Sequence, residues 1–384
     1  MMTGTFTLDV ESIASDGSGV AHLDGMTVFL ERTAPGDRVA ARLTETHRKW
    51  ARGVALRVEE AGPGRVPPVC PAYGVCGGCS LQHLDYEHQI AAKVRILSDA
   101  LTRIGGFTAL PVIQVTRSPA WGCRNRMQLH RRPGALGLRR RRGGEVIALA
   151  DCPVADGGIR RLLAAARAPV PGTADPLPHH GRFTVYSRGD TLLVEGGDPA
   201  RGEITLAGKT VILDAGVFFQ SNALMQEALI RGVMAAAAQA DPARAAADLY
   251  AGAGVFALFL AGRFSRVFLA EENPAALALA RENLADADFY AGTAEAWAKT
   301  NLPKGGFGFV AADPPRTGLR GAANILAEAG PAVFAYVSCD PATLARDARI
   351  LHHHYALASL TLYDFYPQTA HIETLAVFTR NHHA

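Results

Sequence analysis

The 384-residue sequence predicts an α/β protein, with a doubly wound sheet in its second half and a small β-barrel ahead of it. Three observations support that fold class. Asp248 to Glu271 reads strand, glycine-rich turn, apolar helix, strand and acid, in that order. Two further apolar runs, 308–312 and 331–337, end on Asp313-Pro314-Pro315 and on Ser338-Cys339-Asp340-Pro341, where prolines that cannot donate to a ladder stop a strand. The first sixty residues instead alternate apolar and polar side chains between turn signals.

In chain order, residues 5–10 alternate as a half-buried strand, and Asp16-Gly17 and Asp24-Gly25 mark turns. Further strands are expected at 27–30, 37–43 and 50–58, with Arg38, Arg42, Arg48, Lys49 and Arg52 along one side. Small barrels of this kind often bind oligonucleotides, and charged strand faces are also ordinary solvated surface. Gly62-Pro63-Gly64 to Pro67-Pro68 ends this unit.

Cys70, Cys76 and Cys79 follow within ten residues, with Gly77-Gly78 allowing the backbone to fold tightly. In a reducing compartment such a cluster points to metal rather than to disulfides. A tetrahedral site needs a fourth ligand, for which Cys152 is the first candidate and His83 the second. Zinc and an iron–sulfur cluster both accept four thiolates, and the wide first gap favours a cluster. A helix is expected over 84–104, with Ile90, Val94, Leu97, Leu101 and Ile104 on one face.

Between Val115 and Ala165 stand eleven arginines (117, 124, 126, 131, 132, 139–142, 160 and 161) and three acids (145, 151 and 156), a local net charge of +8 in a chain whose total is +3. Scarcity of lysine explains arginine in its place but not the missing acids, so a polyanionic partner is expected. Residues 139–144 read as an exposed loop or hairpin, 169–178 as a turn-rich connection, and 183–194 and 203–213 as strands. Asn222 is placed to cap a helix over 223–240.

The Gly252-x-Gly254 turn after the Asp248 strand, with Glu271 at the distance of an acid that accepts ribose hydroxyls, suggests an adenosine-containing ligand. It does not distinguish a nicotinamide cofactor from S-adenosylmethionine. Asp313 is aimed into the crevice by the two prolines after it. Cys339, at a strand's carboxyl end, is the candidate nucleophile. Glu373 falls in the edge loop before a last strand at 375–379, as a surface acid or a general base. Met1 to Val10 has neither a basic head nor an apolar core segment, and the apolar tract 249–261 is too short to span a bilayer, so a cytoplasmic protein is expected.

These residues together resemble the RNA 5-methyluridine methyltransferases, the family of the 23S rRNA uracil-5-methyltransferases and their tRNA relatives. The resemblance is carried by Cys70, Cys76, Cys79 and Cys152; Phe219-Gln220-x-Asn222; the Asp248 loop; Glu271; Asp313-Pro314-Pro315-Arg316-x-Gly318; Val337-Ser338-Cys339; and Pro367-Gln368-Thr369-x-His371-x-Glu373. It implies a TRAM barrel (1–61), a small central iron–sulfur and RNA-binding domain (62–210) and a Rossmann-like class I methyltransferase domain (211–384), with the 84–104 helix packed on the last. It further implies a [4Fe-4S] cluster on the four cysteines, Cys339 as nucleophile and Glu373 as proton acceptor. Gln220, Tyr250, Gly252, Gly254, Glu271 and Asp313 would lie along the S-adenosylmethionine and uracil pocket.

The sequence departs from the family at Ala251 (usually cysteine), Val255 (usually polar), Asp340 (usually asparagine) and Tyr366 (usually phenylalanine). The barrel and the four cysteines resemble the 23S rRNA branch and favour that substrate; a monomer is expected because nothing in the sequence requires a second copy. Alternatives are a tRNA uridine-C5 methyltransferase, a non-catalytic iron–sulfur RNA-binding protein, and a nicotinamide-dependent oxidoreductase that would leave Cys339, Asp313 and Glu373 unexplained.

Overall fold

The computed structural model describes residues 4–167 and 177–381; most of the expected 169–178 connection lies outside the described residues. Six strands open the chain: β1 (Phe6–Asp9), β2 (Ser12–Ile13), β3 (Gly19–Leu23), β4 (Met26–Glu31), β5 (Arg38–Thr46) and β6 (Trp50–Glu60). They form one sheet in the order β1-β5-β6-β4-β3-β2. Asp24 and Gly25, with φ of +49° and +80°, make the tight turn between β3 and β4. Alternate residues, among them Leu8, Val28, Leu30, Val39 and Ala51, fill its core.

Helix α1 (Tyr86–Arg103) starts where Asp85 accepts from the His88 amide and buries Ile90, Leu97 and Leu101. Next come β7 (Ile113–Thr116), β8 (Arg126–Arg132), β9 (Ala135–Arg139), β10 (Val146–Ala148), α2 (Gly157–Arg167), β11 (Gly181–Arg188) and β12 (Thr191–Val194). A five-stranded sheet, β10-β9-β8-β11-β12, packs one face on α2 through Met127, Leu129, Phe183, Val185, Ile159 and Leu163. The sequence did not suggest α2, which opens on Gly157-Gly158 and carries arginines among its apolar residues. A hairpin follows, β13 (Arg201–Leu206) and β14 (Lys209–Asp214).

The rest alternates: α3 (Ala223–Ala237), β15 (Ala245–Leu249), α4 (Val255–Leu260), β16 (Val267–Glu271), α5 (Pro274–Asn283), β17 (Asp288–Ala291), α6 (Ala294–Asn301), β18 (Phe307–Ala312), α7 (Ala322–Ala329), β19 (Val333–Ser338), α8 (Pro341–Leu351), β20 (Tyr355–Tyr363) and β21 (Glu373–Arg380). The sheet order is β17-β16-β15-β18-β19-β21-β20-β7. Its strands read as near-continuous apolar runs because helices cover both faces; β18 and β19 are buried at every position.

Helix α1 packs on the eight-stranded unit, and two features, β7 and the β13–β14 hairpin, cross a division at residues 61 and 210. Strand β7 pairs in parallel with β20, and α1 buries Leu97 and Leu101 in the same core as Leu344 and Leu351 of α8. The eight-stranded unit therefore takes its edge strand and one covering helix from residues 86–116. The cut at 210 falls inside the β13–β14 hairpin, which is tied to α5 where Asn283 accepts from the Ile212 amide at 2.7 Å. Among the described residues no helix is long and apolar enough to cross a membrane.

Candidate active site

Strands β15, β18 and β19 are parallel, and their carboxyl ends meet where the strand order reverses, the position at which open α/β sheets bind ligands. Strand β21 runs the other way, with Ser338 opposite Thr374, so its first residue arrives at the same edge. A crevice of about 880 Å3 opens there, lined by Gln220, Tyr250, Gly252, Glu271, Asp313, Cys339 and Glu373. Gly254 does not line it. That residue caps α4 with a φ of +79°, and a Cβ on it would come within 3.1 Å of the Ala280 side chain. Glycine is required at 254 for close packing of the turn on α5 rather than for contact with a ligand.

The first wall is the turn after β15. Tyr250 holds a φ of +60°, rare for a large side chain and typical of functional turns. The Gly252 amide donates to Glu271 Oε2 at 2.8 Å, and Glu271 Oε1 accepts from the Asn273 amide at 2.7 Å. Beneath the turn Asp248 is fully buried and accepts from the Ala257 amide at 2.9 Å. Burial, with the Asp313 and Glu271 carboxyls adding, pushes its own carboxyl up to about 8.

The opposite wall gathers the reacting groups. Burial pushes Asp313 up to about 7, against a hydrogen bond from Gln220 Nε2 at 3.4 Å. The thiol of Cys339 is pushed up to about 12 by burial, then by Glu373 and Asp313, while Arg316 pulls it down. Glu373 is not an edge-loop acid: it is the first residue of β21 and only 2% exposed. Antiparallel pairing on both sides draws the strand's start inward, which a short apolar run cannot reveal. Burial and Asp313 hold Glu373 well above the usual carboxylate range. Buried Glu373 Oε1, Gln220 Oε1 and Gln226 Oε1 have no hydrogen-bond partner among the described residues, and all three residues line the crevice. Orphaned acceptors at one opening are what a missing ligand leaves.

Sequence reasoning passed over two residues of this wall. Arg316 donates to His371 Nδ1 at 3.1 Å, and burial together with Arg316 pushes His371 down to about 4, so the ring is a neutral acceptor that aims the guanidinium. Both residues lie within the quoted motifs; the missing signal was that Arg316 faces Cys339 and Glu373, which the fold alone reveals. Asp340 accepts from the Ala342 and Thr343 amides, so the acid replaces asparagine as the cap of α8 without loss. Asn222 caps α3 as expected, accepting from Met225.

The segment 364–373 is clamped from α1. Lys93, with no exposed surface, donates to Asp364 Oδ1 at 2.5 Å and to the Tyr366 carbonyl at 2.9 Å, and the Tyr86 hydroxyl donates to Asp364 Oδ2 at 2.8 Å. Gln89 accepts from the Gln368 amide at 2.9 Å and donates to its side chain at 3.0 Å, holding Gln368 at a φ of +67°. The amides of Ser80 and Leu81 donate to the Gln368 carbonyl, both at 2.9 Å. Ser80 directly follows Cys79.

Cys70, Cys76, Cys79 and Cys152 are free thiols lining one small cavity, closed by Met127, Leu138 and Leu149. Burial pushes Cys79 up to about 12 and raises Cys76 and Cys152. His83 lies outside this set: its ring nitrogens meet the Tyr73 hydroxyl at 2.6 Å and the Thr33 carbonyl at 3.0 Å. Among the described residues no three His, Cys, Asp or Glu side chains are drawn together as a single bound ion draws them. The donors surround a cavity instead. Gly78 and Arg124 line both this cavity and the crevice.

Comparison with known proteins follows the same division. The family model for tRNA (uracil-5-)-methyltransferases matches residues 298–381, that for the TRAM domain residues 4–56, and that for the methyltransferase small domain residues 209–335. An RNA methyltransferase of Treponema denticola, otherwise uncharacterized, is 32% identical over 93% of this chain and 95% of its own. The 23S rRNA (uracil(1939)-C(5))-methyltransferase RlmD of Acidithiobacillus ferrooxidans is 32% identical over 97% of this chain and 96% of that protein. The crystal structure of Pyrococcus abyssi tRNA (uracil-54, C5)-methyltransferase with S-adenosyl-L-homocysteine shares the fold, with a TM-score of 0.76 and 23% identity over 97% of this chain and 99% of that one.

Proposed function

Since the chain belongs to the RNA (uracil-C5) methyltransferase family, we propose that it transfers a methyl group from S-adenosylmethionine to C5 of a uridine in 23S rRNA through a Cys339–C6 adduct. One observation supports the adduct above the rest: the antiparallel pairing of β19 with β21 brings Cys339 and Glu373 to one crevice with Asp313 and Gln220. The rRNA target rests on relatives named for 23S rRNA that align along nearly the whole chain. A cytoplasmic monomer fits this reading.

Uracil C5 alone is too weak a nucleophile to take a methyl group. The Cys339 thiol gives up its proton to solvent, its thiolate sulfur adds to C6, and the C5–C6 double-bond electrons move out as an enolate with C5 nucleophilic. Gln220 Nε2 is the donor toward the developing uracil oxyanion. S-adenosylmethionine supplies, when bound, the electrophilic methyl. Glu373 then takes the C5 proton, the C5–H electrons restore the C5–C6 double bond, and the thiolate leaves. For the cofactor, Glu271 offers a carboxylate to ribose hydroxyls, and the turn from Tyr250 to Gly252 leaves open space, with nothing within 4 Å of where a Gly252 Cβ would stand. Asp313 completes the pocket.

Glu373→Gln is expected to methylate once and then stall, so denaturing gels should show a protein–RNA adduct carrying the methyl. Normal turnover by this variant would remove Glu373 from the mechanism.

The reading extends to a [4Fe-4S] cluster on Cys70, Cys76, Cys79 and Cys152. Its support is a four-thiol donor set round one cavity, with His83 engaged elsewhere. Such a group supplies a cross-link between residues 70–79 and 152 with no open coordination position. Cys76→Ser is expected to lose the cluster's visible absorbance and to weaken RNA binding; an unchanged spectrum would refute the assignment.

A further inference from the structure

One face of the five-stranded sheet packs on α2; on the other, Tyr186 of β11 and Leu193 of β12 pack on the β13–β14 hairpin and Phe219, and Arg126 lies over Phe218, which leaves only the far end of that face uncovered. On β8, Met127 and Leu129 point into the core under α2, so Gln128, His130 and Arg132 point the other way. On β9, Leu136 and Leu138 face the same core, and Arg139 the opposite side. On β11, Phe183 is buried in that core, and Arg182, directly across from His130, points outward. Gln128, Arg132, Arg139 and Arg182 are exposed.

None of the five strands carries an aspartate or glutamate. Several arginines of the basic segment are already paired: Arg117 with Glu87, Arg140 with Glu145, Arg141 and Arg142 with Glu31 and Arg160 with Asp151. Arg132, Arg139 and Arg182 have no carboxylate partner among the described residues. They also crowd one another, and burial together with these three arginines holds the His130 ring below its ordinary pKa. Like charges across neighbouring strands destabilise a sheet. A polyanion on this face would remove that repulsion.

We infer that the uncovered end of the sheet's second face, through Arg132, Arg139 and Arg182, is a second RNA-docking surface that grips the phosphate backbone of the folded substrate away from the target base. The inference rests on the RNA-methylating reading. It also gives the cysteine cavity a place in binding. Leu138 and Met127 wall that cavity on one side of the sheet while Arg139 and Gln128 stand on the other. The Gly77 amide donates to the Arg139 carbonyl at 3.0 Å, and Cys76 bridges to Arg140. The cysteine segment therefore sets the height and twist of the strand that carries Arg139.

The test compares Arg132→Gln/Arg139→Gln/Arg182→Gln with the acid-paired control Arg140→Gln/Arg160→Gln. Filter binding to a folded 23S rRNA fragment is measured across a salt series, with methylation of the same fragment and of a short uridine-containing oligonucleotide. The triple variant is expected to bind the fragment at least ~10-fold more weakly and to lose about one unit of salt slope per arginine. Its kcat should be unchanged, and its KM should rise for the fragment but not for the oligonucleotide. The control should keep its slope. Unchanged affinity and slope in the triple variant overturn the inference. A wild type that binds the fragment but transfers no methyl to uridine overturns the functional reading instead, and the binding comparison still decides the docking surface.

Discussion

Cys339 keeps its proton in the free protein, because burial and the carboxyls of Glu373 and Asp313 oppose a second negative charge. Burial and Asp313 likewise shift Glu373 toward its protonated form. In the proposed mechanism both groups must lose a proton to act, one as nucleophile and one as base. Activity should therefore climb as pH rises from the acid side, and the climb should extend beyond neutrality. Arg316 pulls both groups the other way. Replacing it with methionine should move the midpoint of the rising limb in log(kcat/KM) to higher pH by about one unit, and Arg316→Lys should move it less. An equal loss at every pH would show that Arg316 serves only to hold its loop. The residues that form this triangle differ in how visible they were. Asp313 and Cys339 were legible because prolines end their strands on them. The bearing of Arg316 on both was not, since it depends on a His371 acceptor 55 positions away.

Helix α1 is the element on which the site's second wall depends. Its buried Lys93 pairs with Asp364 across 271 residues, and its Gln89 fixes Gln368 in a left-handed conformation. Between them they hold the segment that leads into Glu373. Lys93→Met would leave the Asp364 charge buried and unpaired, a loss on the order of 3–5 kcal/mol. Lys93→Met/Asp364→Leu should recover part of that stability in thermal unfolding, because two apolar groups need no partner. Recovery of stability without recovery of turnover would show that the ion pair positions the loop as well as holding it. A double variant no more stable than the single would contradict the pairing. The helix itself was readable from its apolar spacing. Strand β7 was not, because it is four residues long and pairs with a strand far along the chain. Glu373 was misjudged for a related reason: an antiparallel strand between two neighbours leaves the same short apolar run as an edge strand does.

Across the whole molecule the pieces stand in a definite relation. The cysteine cavity lies between the arginine-bearing sheet and the crevice, sharing Gly78 and Arg124 with the latter. Through Ser80 the same segment reaches the Gln368 turn. The arginine-bearing sheet, the cysteine cavity and the loop that leads into Glu373 are thus mechanically connected over short distances. Order of motifs along the chain could predict the crevice, because the doubly wound topology carries successive strand ends to one edge. It could not predict that the cysteine segment abuts that edge, which depends on how three separate sheets dock. The account's central claim is that Cys339 bonds transiently to the uracil ring. RNA bearing 5-fluorouridine at the target position has no C5 proton for Glu373 to remove. Incubated with this protein and S-adenosylmethionine, it should form a methylated covalent complex that survives denaturing electrophoresis, and Cys339→Ala should form none. A wild type that leaves such RNA free, or a Cys339→Ala variant that traps it equally, would contradict the claim.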